Sequence, residues 1–305
     1  MMTQRDYKGA IVAKVNAEEL YETQLEDAVK EYNESLKEQG INIRMLGQDQ
    51  LHNVRKFMLQ KMVERELLHQ EAVRKKIKVT SSEIDQVMQD SEKHYPSHQS
   101  LLNDILKDGK TIETYRERLA YDMLVNKIAA KRYEERKKPI SDDEIRLFYQ
   151  ENRQRFAQPE SVRIGHILLK IPKSATDKEW ESAKKKLLRL RKSKEDFREL
   201  AKKHSQCTSA KEGGDLGFFF RRQLYPPLEN AAFTLKVNEV SQPIESLDGV
   251  HLIKLYEHRP QGFIPPFEEI KDQVAKVAKA EQAQAIYQEY VEELKNKAKI
   301  EIFEN

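Results

Sequence analysis

The sequence predicts an α+β fold, a mainly helical body built from both chain ends and interrupted by an inserted module. Long stretches place apolar residues at three-and-four spacing in a chain that is 34% charged and 38% hydrophobic, the pattern of helices that bury one stripe. Two short alternating runs, IVAKV (11–15) and KIEIF (299–303), stand at opposite ends. Neither is stable alone, so they are expected to pair with each other. Between them lie two β-prone segments that each carry one histidine, VRIGHILLK (162–170) and GVHLIKLYE (249–257).

IVAKV opens the ordered part. A helix is expected over 18–39, stopped by Gly40, and a second over 48–75 with Leu51, Val54, Met58 and Met62 as its buried stripe. Thr80 followed by Glu83 has the form of a capping box, which starts a helix over 81–93. Further helices are expected at 98–107 and 112–137. Pro139 interrupts, and Ser141 with Glu144 forms a second capping box for a helix reaching about Phe156. Pro159 then marks a boundary before the first histidine segment. Pro260, Pro265 and Pro266 mark the far edge, because proline cannot donate to a helix or sheet ladder. A long helix with Phe267, Ile270, Val274 and Val277 on one stripe follows, and the chain returns as KIEIF. The expected domains are 1–157, 158–260 and 261–305, the last returning to the first.

Composition narrows the function. At 305 residues the chain has material for about two domains. The net charge is +3, from 54 basic and 51 acidic residues, and their interleaving along helices gives none of the basic face that a nucleic-acid partner requires. The one dense basic run, KKKLLRLRKSK (184–194), has a helical period and reads as a solvated helix face. Interleaved charge fits a monomer and a dimer equally. No apolar run approaches the roughly 18 residues of a membrane span. Cys207 is the only cysteine, so an intramolecular disulfide and a multi-cysteine zinc site are excluded. The first residues lack the apolar segment of a secretory leader. At face value that places the chain in the cytoplasm, and outside it if a leader has been removed.

Residues two apart in a strand share a face. His166 therefore lines up with Val162, Ile164 and Leu168, and His251 with Ile253 and Leu255, so each imidazole is expected to point into a core. Between these strands runs SQCTSAKEGGDLG (205–217), whose Gly213, Gly214 and Gly217 permit a tight turn. GHILLK, DFRELAKKHSQ, SAKEGGDLGFF, LENAAF and SLDGVHLIKL follow in order from 162 to about 260. This succession resembles the parvulin family of peptidyl-prolyl cis/trans isomerases.

The resemblance implies a small antiparallel sheet flanked by helices and a polar cluster of His166, Cys207, Ser246 and His251. It also implies a proline pocket lined by Leu216, Leu224, Leu228 and Phe233. The histidines and Ser246 would orient the site and tune Cys207. The sequence departs from the family where methionine is common at position 224 and an aromatic ring at position 228. Lys170 and Lys173, followed by Ser174 and Ala175, lack the arginine pair of phosphate-directed parvulins, so phosphoserine-proline specificity is not expected. IVAKVNAEELYETQLE, with the return of the chain end, is similar to the SurA and PrsA type of foldase, a helical chaperone around an inserted parvulin domain.

The implied function is isomerisation of Xaa-Pro bonds in unfolded or partly folded proline-containing polypeptides, with no metal, cofactor or acyl intermediate. Rival readings remain at this level. Cys207 could be an inert buried residue or a protease nucleophile, which would need a histidine base and an oxyanion hole. The histidines could be satisfied core residues; a binuclear metal site lacks further ligands at suitable spacing. The Leu224 and Leu228 departures favour a binding-only chaperone. A NifM-like cytoplasmic maturation factor also joins a helical region to a parvulin domain.

Overall fold

A computed structural model describes residues 9–38, 40, 47–106, 111–172 and 174–303; the expectations for Gln39, Lys107 and Lys173 lie outside them. In chain order the elements are β1 (Ile11–Val15), β2 (Glu18–Tyr21), α1 (Glu22–Glu38), α2 (Gln48–Arg74), α3 (Ser81–Glu92), α4 (His98–Ile105), α5 (Ile112–Arg136) and α6 (Asp142–Glu151). Then come β3 (Ser161–Lys170), α7 (Asp177–Arg191), α8 (Phe197–His204), β4 (Asp215–Phe220), α9 (Pro226–Thr234), β5 (Ile244–Ser246), β6 (Gly249–Arg259), α10 (Phe267–Lys295) and β7 (Ile300–Ile302). The fold is α+β, mostly helical with two small antiparallel sheets. It divides into two compact units, residues 1–140 with 276–305, and residues 141–275.

In the first unit the two end strands pair, Ala13 opposite Ile302 and Val15 opposite Ile300, in the order β2-β1-β7. The helix expected over 18–39 starts only at Glu22, because Glu18–Tyr21 forms β2 instead. Asn16, at φ 58, turns the chain back on β1, and the resulting ladder replaces the first helical turn. The stripe on α2 is also corrected. Leu51 is exposed and Val54, Met58 and Met62 are half-buried, while Leu59, Val63, Leu67, Leu68 and Ala72 are buried. Both rows satisfy the helical period, and packing of β1 and α5 against α2 selects the second.

The Thr80 box forms: Thr80 Oγ1 accepts from Glu83 N at 3.3 Å, and Glu83 Oε2 accepts from Thr80 N at 2.8 Å. Thr80→Ala should cost about 1 kcal/mol, read as a lower thermal midpoint of the helical unit. An unchanged midpoint would show the cap to be dispensable.

In the second unit the sheet order is β4-β3-β6-β5. One face of its central pair, Ile167, Leu169, Val250 and Leu252, packs on Leu187 of α7 and on Phe197, Leu200 and Ala201 of α8. The other face, Val162, Ile164, Ile253 and Leu255, packs on Ala232 of α9. Each such fully buried aliphatic side chain is worth about 1.5–3 kcal/mol.

One boundary and two burial patterns differ from expectation. The helix expected to reach Phe156 ends at Glu151, where both the backbone N and Nδ2 of Asn152 donate to the Phe148 carbonyl. Arg153–Phe156 is a separate 3-10 turn. On α10, Phe267, Ile270 and Val274 are buried, but Ala278 takes the place expected of Val277, which is half-buried. The basic run falls largely on α7 and is only partly solvated, since Leu187 is fully buried and Arg191 donates to the carbonyls of Val240 and Ser241. Among the described residues no helix is long and apolar enough to cross a membrane.

Candidate active site

β4 pairs with β3 only up to Gly165 opposite Asp215. Past that point the backbone of β3 would be left with open donors and acceptors, and the loop after α8 takes them. Leu168 N donates to Ser205 Oγ at 3.1 Å, Gln206 N to the Leu168 carbonyl at 2.8 Å, and Lys170 N to Gln206 Oε1 at 2.6 Å. This stitching fixes where Cys207 begins the next turn. Gly214 locks the turn from the other side: its carbonyl accepts from His166 N at 2.8 Å, and its N donates to the Ser209 carbonyl at 2.8 Å. It has φ +74, and a Cβ there would collide with the His166 carbonyl oxygen.

His166 on β3 and His251 on β6 are both buried, with ring centroids 5.7 Å apart and planes at 38°. Each Nε2 meets a hydroxyl, His166 that of Ser209 at 3.0 Å and His251 that of Ser246 at 2.8 Å. Ser246 Oγ also accepts from Asp248 N at 3.0 Å, which holds it in the β5–β6 turn. His251 Nδ1 is buried without a partner among the described residues. Burial, and secondarily the neighbouring His251, push His166 down from 6.5 to about 4. Burial also lowers His251, against an opposing pull from Asp248. Both imidazoles are therefore neutral at pH 7, with one ring nitrogen protonated and the other carrying a lone pair.

Cys207 Sγ meets Thr208 Oγ1 at 4.0 Å. Burial raises the thiol, and hydrogen bonds from Ser209 and then Thr208 outweigh it, leaving Cys207 below its ordinary range. A protease reading needs an imidazole base on this thiol, and the hydrogen-bond contact of its Sγ among the described residues is the Thr208 hydroxyl.

Leu216, Leu224, Leu228 and Phe233 come together in one apolar cluster against Val162, Ile164, Ala232, Ile253 and Leu255. That is the sheet face from which both imidazoles project. Phe219 of β4 joins them, and the Arg221 guanidinium lies 4.3 Å over the Phe233 ring. Ser209, Phe219 and Arg221 were not among the residues singled out from sequence. All three lie within or just after SAKEGGDLGFF, and only Ser209, two residues past Cys207, had a positional hint. Lys173 lies outside the described residues, and Ala175 packs into the core shared by α7 and α8. Among the described residues, no group of three or more His, Cys, Asp or Glu side chains is arranged to hold a metal ion.

Residues 166–257 match the family model of the PPIC-type PPIASE domain, and residues 1–129 that of the SurA-like N-terminal domain. The fold and the site thus define a parvulin-type peptidyl-prolyl cis/trans isomerase carrying a SurA-like helical region. The foldase protein PrsA of Geobacillus sp. (strain WCH70) is 31% identical over 259 residues, covering 84% of this chain and 84% of that protein. The foldase protein PrsA of Caldanaerobacter subterraneus subsp. tengcongensis is 28% identical over 303 residues, covering 97% of this chain and 88% of that protein. The solved structure of a SurA-like chaperone of Campylobacter jejuni covers 97% of this chain and 100% of its own, with a TM-score of 0.50 and 16% identity, a likeness of fold. The chain belongs to the PrsA foldase family.

Proposed function

We propose that residues 158–260 isomerise Xaa-Pro bonds in unfolded or partly folded proteins, and that a helical domain of 1–157 and 261–305 retains the client. Rotation about the bond faces about 18–20 kcal/mol, because resonance gives C–N partial double-bond character. A catalyst must favour the twisted amide, with its pyramidal nitrogen, over both planar forms. Leu216, Leu224, Leu228 and Phe233 would bury the pyrrolidine ring, at about 25 cal/mol per Å². Cys207, which the family resemblance sets beside the substrate carbonyl, carries a hydroxyl-supported thiol. Negative character there disfavours the planar amide, whose resonance loads charge on the carbonyl oxygen. His166, His251 and Ser246 would hold the polar wall of this site in a fixed orientation.

The observation that carries this reading is the projection of two neutral, hydroxyl-bonded imidazoles from the same sheet face as the apolar cluster. A protease-coupled assay on a proline peptide tests it. Cys207→Ala and His251→Ala should each lower kcat/KM by about tenfold or more, an increase of about 1.4 kcal/mol in the barrier. A binding-only chaperone is the second reading, favoured by the aliphatic lining and by Arg221 covering a face of Phe233. Rates equal to the uncatalysed one, with aggregation of an unfolded client still suppressed, would establish that second reading.

A further inference from the structure

We propose that Glu160 is a positioning residue at the rim of the proline pocket. It fixes the Arg221 guanidinium over Phe233 and balances its charge, so that Arg221 grips a client through a main-chain carbonyl beside the proline and not through an acidic side chain. The inference rests on the reading of the apolar cluster as a proline pocket and adds the element that sets its charge preference.

The strand registers bring the rim together. Ser161, the first residue of β3, lies opposite Phe220, the last of β4, and Val162 lies opposite His258 of β6. Residues two apart along a strand share a face, so extending β3 back by one residue sets Glu160 on the face of Val162, which is buried in the pocket cluster. There the two oxygens of its carboxylate take different partners. Oε2 accepts from Arg221 Nε at 2.6 Å, and Oε1 meets His258 Nε2 at 2.8 Å. A carboxylate only accepts, which assigns the His258 proton to Nε2. Anchored in this way, the Arg221 guanidinium lies 4.3 Å over the Phe233 ring.

Of the N–H donors of the guanidinium, Glu160 takes the one on Nε. Those on the two Nη atoms have no hydrogen-bond partner among the described residues, and the side chain is 55% exposed. Charge is matched again at the next residue: Arg222 N donates to Glu229 Oε2 at 2.6 Å, which brings a second carboxylate to a turn with two arginines. A rim balanced in this way offers directional donors with little field reaching into solution. The acceptor that every client carries beside its proline is a main-chain carbonyl.

The full chain is assayed on Ala-Ala-Pro-Phe, Ala-Glu-Pro-Phe and Ala-Lys-Pro-Phe anilides at low and high salt. Unmutated, it should turn over the Glu and Lys peptides alike at both. Arg221→Met keeps a cover on Phe233 and removes the donors. It should raise KM about fivefold for all three peptides, the size expected for losing one hydrogen bond, with kcat changed less. Glu160→Gln should create a preference for the Glu peptide over the Lys peptide of about fivefold in KM at low salt, which high salt erases. A merely structural loss raises KM for the three peptides alike and creates no such preference. The inference is overturned by a folded Glu160→Gln protein without charge preference, by an Arg221→Met effect confined to the Glu peptide, or by an unmutated chain that already prefers the Glu peptide at low salt. The last two comparisons decide the matter should Glu160→Gln not fold. If the unmutated chain shows no turnover, the isomerase reading fails, and dissociation constants of the same peptides from NMR titration carry the same three comparisons. A chain that binds none of the peptides refutes the pocket and the inference together.

Discussion

Gly214→Ala is expected to remove about 2–4 kcal/mol of stability from the unit that carries the site, with loss of isomerase activity. Holding alanine in the left-handed region costs about 1 kcal/mol or somewhat more. Gly214 sits there at φ +74, and its Cβ would also strike the His166 carbonyl oxygen and approach Ala201 Cβ to 2.9 Å. The obstacle is backbone of a central strand with a helix behind it, so relief requires moving β3 or α8, and overpacking of this kind costs about 1–3 kcal/mol. Any such movement shifts Ser209 relative to His166, because Gly214 N holds the Ser209 carbonyl. Gly217→Ala separates the two contributions, since Gly217 has φ +75 with open space around it. It should show the backbone cost alone. Urea unfolding followed through Trp180, the only tryptophan and part of the core between α7, α8 and the sheet, reads both variants. Equal losses in the two would remove the steric argument.

Acid should destabilise the same unit through its two buried imidazoles. His166 falls from 6.5 to about 4 in the folded chain, and His251 is lowered as well. Between those values the unfolded chain binds more protons than the folded one, so stability rises with pH. The His166 contribution is present in full above about pH 6.5, is lost as pH falls toward about 4, and does not change further below that. At about 1.4 kcal/mol per unit this amounts to about 3 kcal/mol, and His251 adds in the same direction. Glu160 and Asp215 are held below their ordinary values of 4.5 and 3.8. Glu160 is held by Arg221 and His258; for Asp215, burial opposes the shift and the bond to Arg163 leads it. Their stabilisation is lost only below those pH values, beneath the range in which the His166 contribution begins to fall. Urea midpoints from Trp180 emission should decline across that range, and His166→Gln should flatten the decline. A flat wild-type profile from pH 7 to 5 would show that the imidazoles are not held neutral by burial.

Much of this architecture was legible in the sequence because it is encoded within a few residues. Thr80 with Glu83 and Ser141 with Glu144 announce helix starts through bonds three residues long, and both boxes form. Strand alternation placed His166 and His251 on an apolar face without any knowledge of the partner strand. The motif succession from GHILLK to SLDGVHLIKL identified the isomerase class, and the pairing of IVAKV with KIEIF followed from each being too short to stand alone.

The sequence by itself therefore determined the fold class, most of its helices and strands, the face each histidine occupies and the chemistry to expect. Only the tertiary structure decided that Glu18–Tyr21 joins a sheet, which of two equally periodic rows on α2 is buried, and which hydroxyl each imidazole meets. The physical reason is range. Caps and side-chain periods act over one or two turns, whereas the partner of His166 depends on where β4 stops pairing with β3 and on which loop takes the open edge beyond it. That turn brings Ser209 to an imidazole 43 positions away in the chain, a meeting that no local pattern contains.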